Sequence, residues 1–222
     1  MILTVLHSRR IKVAKRRRRT KKRKMNRGLK WTIIILVMLV ALVGAYFGRH
    51  VYMRYRQQYE QQQTIEKQAK EKRDFIKKIA PEAQKMQTKY HVMSSITIAQ
   101  AILESNWGKS SLAKDYHNLF GIKGSGANSK VMSTKEYTNG QWVTISGRFK
   151  VYSSWNASIA DHTKLMLNGT YYNSNNYSAV VNATNYKDAA QALQDADYAT
   201  DPDYAKKLIN IIQTYDLDQY DN

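Results

Sequence analysis

Glu104 is the residue whose setting best suits the movement of a proton. It lies in the stretch Ser94 to Gly124, SSITIAQAILESNWGKSSLAKDYHNLFGIKG. Ser94 or Ser95 can cap a helix in which Ile96, Ala99 and Leu103 recur at the spacing of one amphipathic face. Gly108 ends that helix, so Glu104 falls in its last turn. The partial negative charge of a helix C-terminus disfavours an ionised carboxylate there, and Trp107, three residues on, adds apolar surface beside it. Both effects raise the pKa of Glu104, as a general acid working near neutral pH requires. On position alone, the plainer reading of a helical glutamate is a solvated surface charge.

A second carboxylate sits on a different kind of element. Asn139-Gly140, flanked by KEYT and QWVTI, is a strong hairpin signal, and Val131 to Tyr152 reads as β. That turn puts Glu136 opposite Val143 and Tyr137 opposite Trp142, each pair on one face of a small antiparallel sheet. Glu136 is the only Asp or Glu between Asp115 and Asp161. Taken by itself it is an exposed strand charge.

The remaining elements are helical. Phe75 to Ala80 precedes Pro81, which starts a new helix with Ala83, Met86 and Tyr90 inward. Ala157 to Asn168 stops at Gly169 and turns Ile159, Thr163 and Met166 inward, with His162 on the same side as a core residue or a support behind the site rather than a ligand. Tyr186 to Ala196 puts Tyr186, Ala190 and Leu193 on one face. Thr200-Asp201-Pro202 supplies a cap and a first-position proline for the last helix, whose stripe is Leu208, Ile211, Ile212 and Tyr215. The pattern is α+β and predominantly helical. None of the five histidines has a metal-ligand spacing, and no metal or organic cofactor is indicated.

The charge of +19 is distributed unevenly. Residues 1–74 hold 21 Lys and Arg against 4 Asp and Glu, whereas residues 75–222 hold 15 against 13. Basicity is therefore an N-terminal property, and a nucleic-acid partner is not expected for the folded part. Residues 1–30 form a basic tail containing KRRRRTKKRK, followed at 31–47 by the uncharged WTIIILVMLVALVGAYF. This span covers most of a hydrocarbon core, and its basic flank marks the cytoplasmic side. The expectation is a single-pass anchor with the N-terminus cytoplasmic and the rest extracytoplasmic, or a secreted protein if a signal peptidase cuts after Ala45. Residues 48–74 read as a polar helical stalk and 75–222 as the domain. The absence of cysteine excludes disulfides without identifying a compartment.

The ordered motifs AQAILESNWGKSSLA, NLFGIKG, GRFKVYSSWNASIADH and YATDPDYAKKLI resemble the glucosaminidase domain of glycoside hydrolase family 73, over roughly Phe75 to Leu217. The resemblance implies a lysozyme-like helical domain in which a β-hairpin lobe forms one wall of a cleft, and peptidoglycan glycan strands as substrate. It implies Glu104 as the catalytic acid, Glu136 as the acidic residue facing it from the hairpin, and a catalytic role for Tyr198. Trp107, Asn118, Phe120 and Tyr137 are the candidate substrate contacts, each of which is alternatively core. Asn106 departs from the family pattern, which more often has Gly before Trp-Gly. The implied activity is that of an endo-β-N-acetylglucosaminidase. An N-acetylmuramidase of the same fold and a catalytically inactive wall-binding scaffold are the alternatives.

Overall fold

The computed structural model describes residues 24–138 and 141–221, with the backbone alone at 134–138 and 142. Most of the basic tail and the Asn139-Gly140 turn itself lie outside the described residues. The chain divides into two compact units between Gln62 and Gln63.

The first unit contains the opening part of helix α1, which runs Arg27–Tyr90. Its residues to Gln62 are exposed, and the apolar stretch within them is long and apolar enough to cross a membrane.

In the second unit the later part of α1 buries Phe75, Ile76, Ile79, Ala80, Ala83 and Met86. Pro81 lies inside this helix rather than starting a new one. It forfeits one backbone hydrogen bond, but the buried stripe continues on both sides of it and holds the two parts on one face.

Helix α2 (Ser94–Ser105) packs against α6 (Tyr186–Asp195), α7 (Tyr204–Thr214) and a 3-10 turn at Leu217–Tyr220. The sequence suggests an amphipathic helix. In fact every residue but Leu103 and Glu104 is buried, which makes α2 the central rod of the domain. Its start differs from expectation too. Ser94 and Ser95 are inside the helix with buried side chains, and Met93 occupies the cap position. The free N–H groups are met from elsewhere: Ser94 N donates to Gln87 Oε1 (2.7 Å) and Ser95 N to Asp221 Oδ1 (2.8 Å). Gln87 Nε2 in turn donates to the Asp221 carbonyl (2.7 Å).

A short helix α3 (Ser111–Tyr116), capped by Ser110, leads into the antiparallel pair β1 (Ser129–Thr138) and β2 (Gln141–Lys150). The register is the expected one, Glu136 opposite Val143 and Tyr137 opposite Trp142. Helix α4 (Trp155–Asn168) is capped by Ser154 and buries Ile159, His162, Thr163 and Met166. A one-turn helix α5 (Ser178–Val181), not anticipated from sequence, precedes α6, whose cap is the Asn185 side chain. Helix α7 begins at Tyr204, two residues after Pro202, because Asp201 first folds a turn. Its side chain accepts from Asp203 N (3.0 Å) and its carbonyl from Tyr204 N (3.1 Å).

Candidate active site

Glu104 occupies the last turn of α2, as its spacing indicates, and the chain leaves the helix through a sharply folded exit. Asn106, Trp107 and Gly108 all take positive φ (50°, 63° and 71°). Asn tolerates this conformation better than other side-chain-bearing residues, so Asn106 can make the turn without glycine. Ser105 ties the exit down: its hydroxyl donates to the Ala101 carbonyl and accepts from Gly108 N (2.7 Å). At Gly108 a Cβ would lie 2.7 Å from the Trp155 ring and 2.8 Å from Phe75, so the position requires glycine on both counts.

Protein closely surrounds the Glu104 side chain, yet the residue remains open to solvent. Both hold for a carboxyl flanked by protein on its sides and open to water on one. Burial pushes its pKa up to about 7, and the negative charge of Asp201 adds to the rise. A hydrogen bond from Tyr204 Oη to Glu104 Oε1 (2.8 Å) opposes it. The direction matches the sequence expectation. The cause lies in the protein packed around the carboxyl and in Asp201, whereas Trp107 packs edge-on against Phe75 and Tyr215 (4.8 Å to the latter) beneath Lys72 Nζ.

Tyr204 is not among the residues that the sequence singles out. It is buried at the start of α7, receives a hydrogen bond from Gln100 Nε2 (3.1 Å) and passes one on to Glu104. Gln100 and Glu104 are four residues apart on α2, so both reach the same tyrosine. The available signal is the second tyrosine of YATDPDY, six residues after Tyr198. Tyr198 stacks on Tyr204 (5.7 Å between centroids, 24° between planes) and meets His162 and Tyr177 edge-on. Burial, and then the charge of Glu104, holds both the Tyr198 and Tyr204 hydroxyls protonated far above the ordinary tyrosine range. Burial pushes His162 down to about 3, so it is neutral beneath Tyr198.

The remaining candidates fall into two groups. Asn118 is buried and fully engaged: its Nδ2 donates to the Ile122 and Lys150 carbonyls (3.0 and 2.9 Å), and its Oδ1 accepts from Phe120 N and Ile122 N. Those bonds brace the NLFGIKG loop against the end of β2. Phe120 is buried and stacks on His162 at 4.0 Å. Glu136 and Tyr137 lie on β1 in the stated register, and their side chains are outside the described ones.

The base of the hairpin is tied to α4 by Asp161, whose Oδ2 accepts from Lys150 Nζ (2.8 Å) and Tyr152 Oη (2.7 Å). Burial works against ionisation of Asp161, but these two bonds outweigh it and hold the carboxyl below its ordinary range.

Comparison with known proteins adds independent support. Residues 80–217 match the glucosaminidase family model, described as mannosyl-glycoprotein endo-beta-N-acetylglucosaminidase. The exo-glucosaminidase LytG of Bacillus subtilis is 49% identical over 152 residues, 68% of this chain and 54% of LytG. A probable N-acetylmuramidase of Lactococcus lactis subsp. cremoris is 43% identical over 151 residues, 66% of this chain and 34% of that protein. The chain thus spans about half or less of the length of these relatives. The crystal structure of the catalytic domain of the autolysin Auto from Listeria monocytogenes superimposes with a TM-score of 0.62 at 42% identity, covering 68% of this chain and 88% of that one. With a lysozyme-like arrangement of helices, one hairpin and a raised-pKa glutamate at the end of its central helix, the chain belongs to the glucosaminidase family of glycoside hydrolases.

Proposed function

We propose that this protein is a peptidoglycan hydrolase, an endo-β-N-acetylglucosaminidase that cuts the glycan strand after N-acetylglucosamine. The observation that carries the reading is Glu104, a carboxyl with a pKa near 7 beside a buried tyrosine at the end of a rigid helix. At neutral pH a large share of such a group is protonated and can donate to the departing glycosidic oxygen. Tyr204 then stabilises the carboxylate left behind, since its hydrogen bond favours the ionised form. Glu136, from the hairpin, stabilises the developing positive charge at the sugar carbon or orients the attacking water or the substrate's own acetamido group. Tyr198 assists from the wall of the cleft beside Tyr204.

Residues 31–47 are read as a membrane anchor, with the basic tail in the cytoplasm and the hydrolase outside. The motif matches, the apolar span and the basic flank support that arrangement.

The test is a digest of purified peptidoglycan by the full chain in detergent, alongside Glu104→Gln. Products are reduced with borohydride and the labelled sugar is identified by mass spectrometry. Reduced N-acetylglucosamine at the ends of fragments of many lengths, lost in the variant, is the expected result. Reduced N-acetylmuramic acid would make the enzyme a muramidase. Release of small products from strand ends alone would make it exo-acting, as the name of the B. subtilis relative describes that protein.

A further inference from the structure

Tyr171 and Tyr172 are 96% and 93% exposed, far beyond what a tyrosine pair needs to keep its hydroxyls wet. Their exposure is built in. They occupy the centre of a tight turn in which Thr170 N donates to the Asn173 carbonyl (2.9 Å) and Asn173 N to the Thr170 carbonyl (3.2 Å). Gly169, at φ +66°, lets the chain fold back so closely that a Cβ would lie 2.2 Å from the Asn173 carbonyl. Asn176 Nδ2 anchors the far side of the loop to the Ala196 carbonyl (3.0 Å). The rings meet edge to face, 5.3 Å apart at 86°, and form a corner with one flat floor and one wall.

That corner lines a groove of about 820 Å³ with Lys123, Ser125, Asn128 and Lys150. A run of side-chain contacts leads from Lys150, at the groove, to Glu104. Lys150 and Tyr152 share Asp161, Tyr152 lies within electrostatic reach of Tyr198, and Tyr198 stacks on Tyr204, which bonds Glu104. The Lys150 ammonium is already neutralised by Asp161. Beside its two lysines the groove offers flat aromatic surface, a hydroxyl and an amide, which suits the face of a polyhydroxylated ring.

We infer that Tyr171 and Tyr172 form an outer sugar-binding subsite that holds the glycan strand away from the bond being cut. The inference rests on the reading of the Glu104 cleft as a glycan-cleaving site. Such a subsite lowers KM for long strands and leaves kcat alone, because it grips substrate and transition state equally.

The experiment uses the full chain in detergent carrying Tyr171→Ala with Tyr172→Ala, and separately Tyr171→Phe with Tyr172→Phe. Binding is measured in a Glu104→Gln background on purified peptidoglycan stripped of anionic polymers. Kinetics are measured with long glycan strands and with a tetrasaccharide. The alanine pair is expected to weaken binding and raise KM for long strands by about tenfold, with kcat and tetrasaccharide cleavage unchanged. The phenylalanine pair keeps the parent values. Cleavage with a KM unmoved by the alanine pair overturns the subsite and leaves the hydrolase reading intact. Binding that depends on the tyrosines without any cleavage by the unmutated chain keeps the subsite and overturns the hydrolase. Binding that disappears once anionic polymers are stripped overturns the sugar assignment.

Discussion

The two carboxylates proposed for this site stand on opposite kinds of support. Glu104 ends a helix that is buried on nearly every side, and its exit turn is fixed by Ser105 and Gly108. Glu136 belongs to a two-stranded sheet whose outer residues, such as Val131 at 58% and Ile145 at 38%, face water. That hairpin is fastened near its base, where Phe149 is buried, Gly124 N bonds the Arg148 carbonyl (3.0 Å) and Lys150 N the Ile122 carbonyl (2.9 Å). A lone pair of strands is marginally stable without such fastening. The proposed acid is thus preorganised, while its proposed partner stands on the less supported element. Proton donation needs a fixed distance, whereas stabilising charge or steering water tolerates some movement.

If that division is right, the acid side will be the less forgiving. Glu104→Gln should lower kcat by about 10³-fold or more, because it removes the proton proposed to go to the leaving oxygen. Glu136→Gln should cost roughly 10²-fold. Equal losses, read from release of reducing ends, would erase the distinction between the two.

Tyr204→Phe removes the bond that favours the Glu104 carboxylate, and about a tenfold fall in kcat is expected. The pH profile carries the sign. Activity that needs protonated Glu104 declines as pH rises through about 7. Loss of a bond to the ionised form raises that pKa, so the alkaline limb should move to higher pH. A downward shift would mean that the tyrosine acts otherwise.

Two glycines extend the comparison to stability. Gly108 and Gly126 both take positive φ, 71° and 74°, but a Cβ meets Trp155 and Phe75 at the first and open space at the second. Ala at either position carries backbone strain of about 1 kcal/mol. Only Gly108→Ala adds a clash in the core, so its fall in Tm should be several times that of Gly126→Ala.

The smallest expected effect concerns ionisation. Glu104 titrates higher in the folded chain than when unfolded, so its ionisation opposes folding. The stability linked to its proton is complete below the unfolded pKa, about 4.3, and is lost as pH rises through about 7. Glu104→Gln should therefore raise Tm relative to the parent at pH 8, and the difference should vanish near pH 4. The opening to solvent keeps the effect modest.

Much of this was legible in the sequence because the signals were local. The end of α2 at SNWG, the pairing of β1 with β2 and the inward stripes of α4, α6 and α7 all follow from spacing. What escaped depended on residues far apart. Tyr204 is a hundred residues from Glu104, and no periodicity announces that they meet. Asn118 and Phe120 have the side chains of a sugar groove, but the fold uses one as a loop brace and the other as core. Pro81 reads as a helix start until the stripe from Phe75 to Met86 is seen to be buried as a unit.

The bond from Ser95 N to Asp221 gives the domain a timetable. The start of the acid-bearing helix is completed by a residue made 126 positions later, beside a turn whose Leu217 is fully buried. A ribosome that has just finished the AQAILES segment has therefore produced Glu104 but not the means to seat it. Any intermediate lacking residues 217–221 carries the acid on an unfinished helix. For a chain proposed to cut a structural polymer, the hydrogen bonding that opens this helix is complete only after residue 221 has been made.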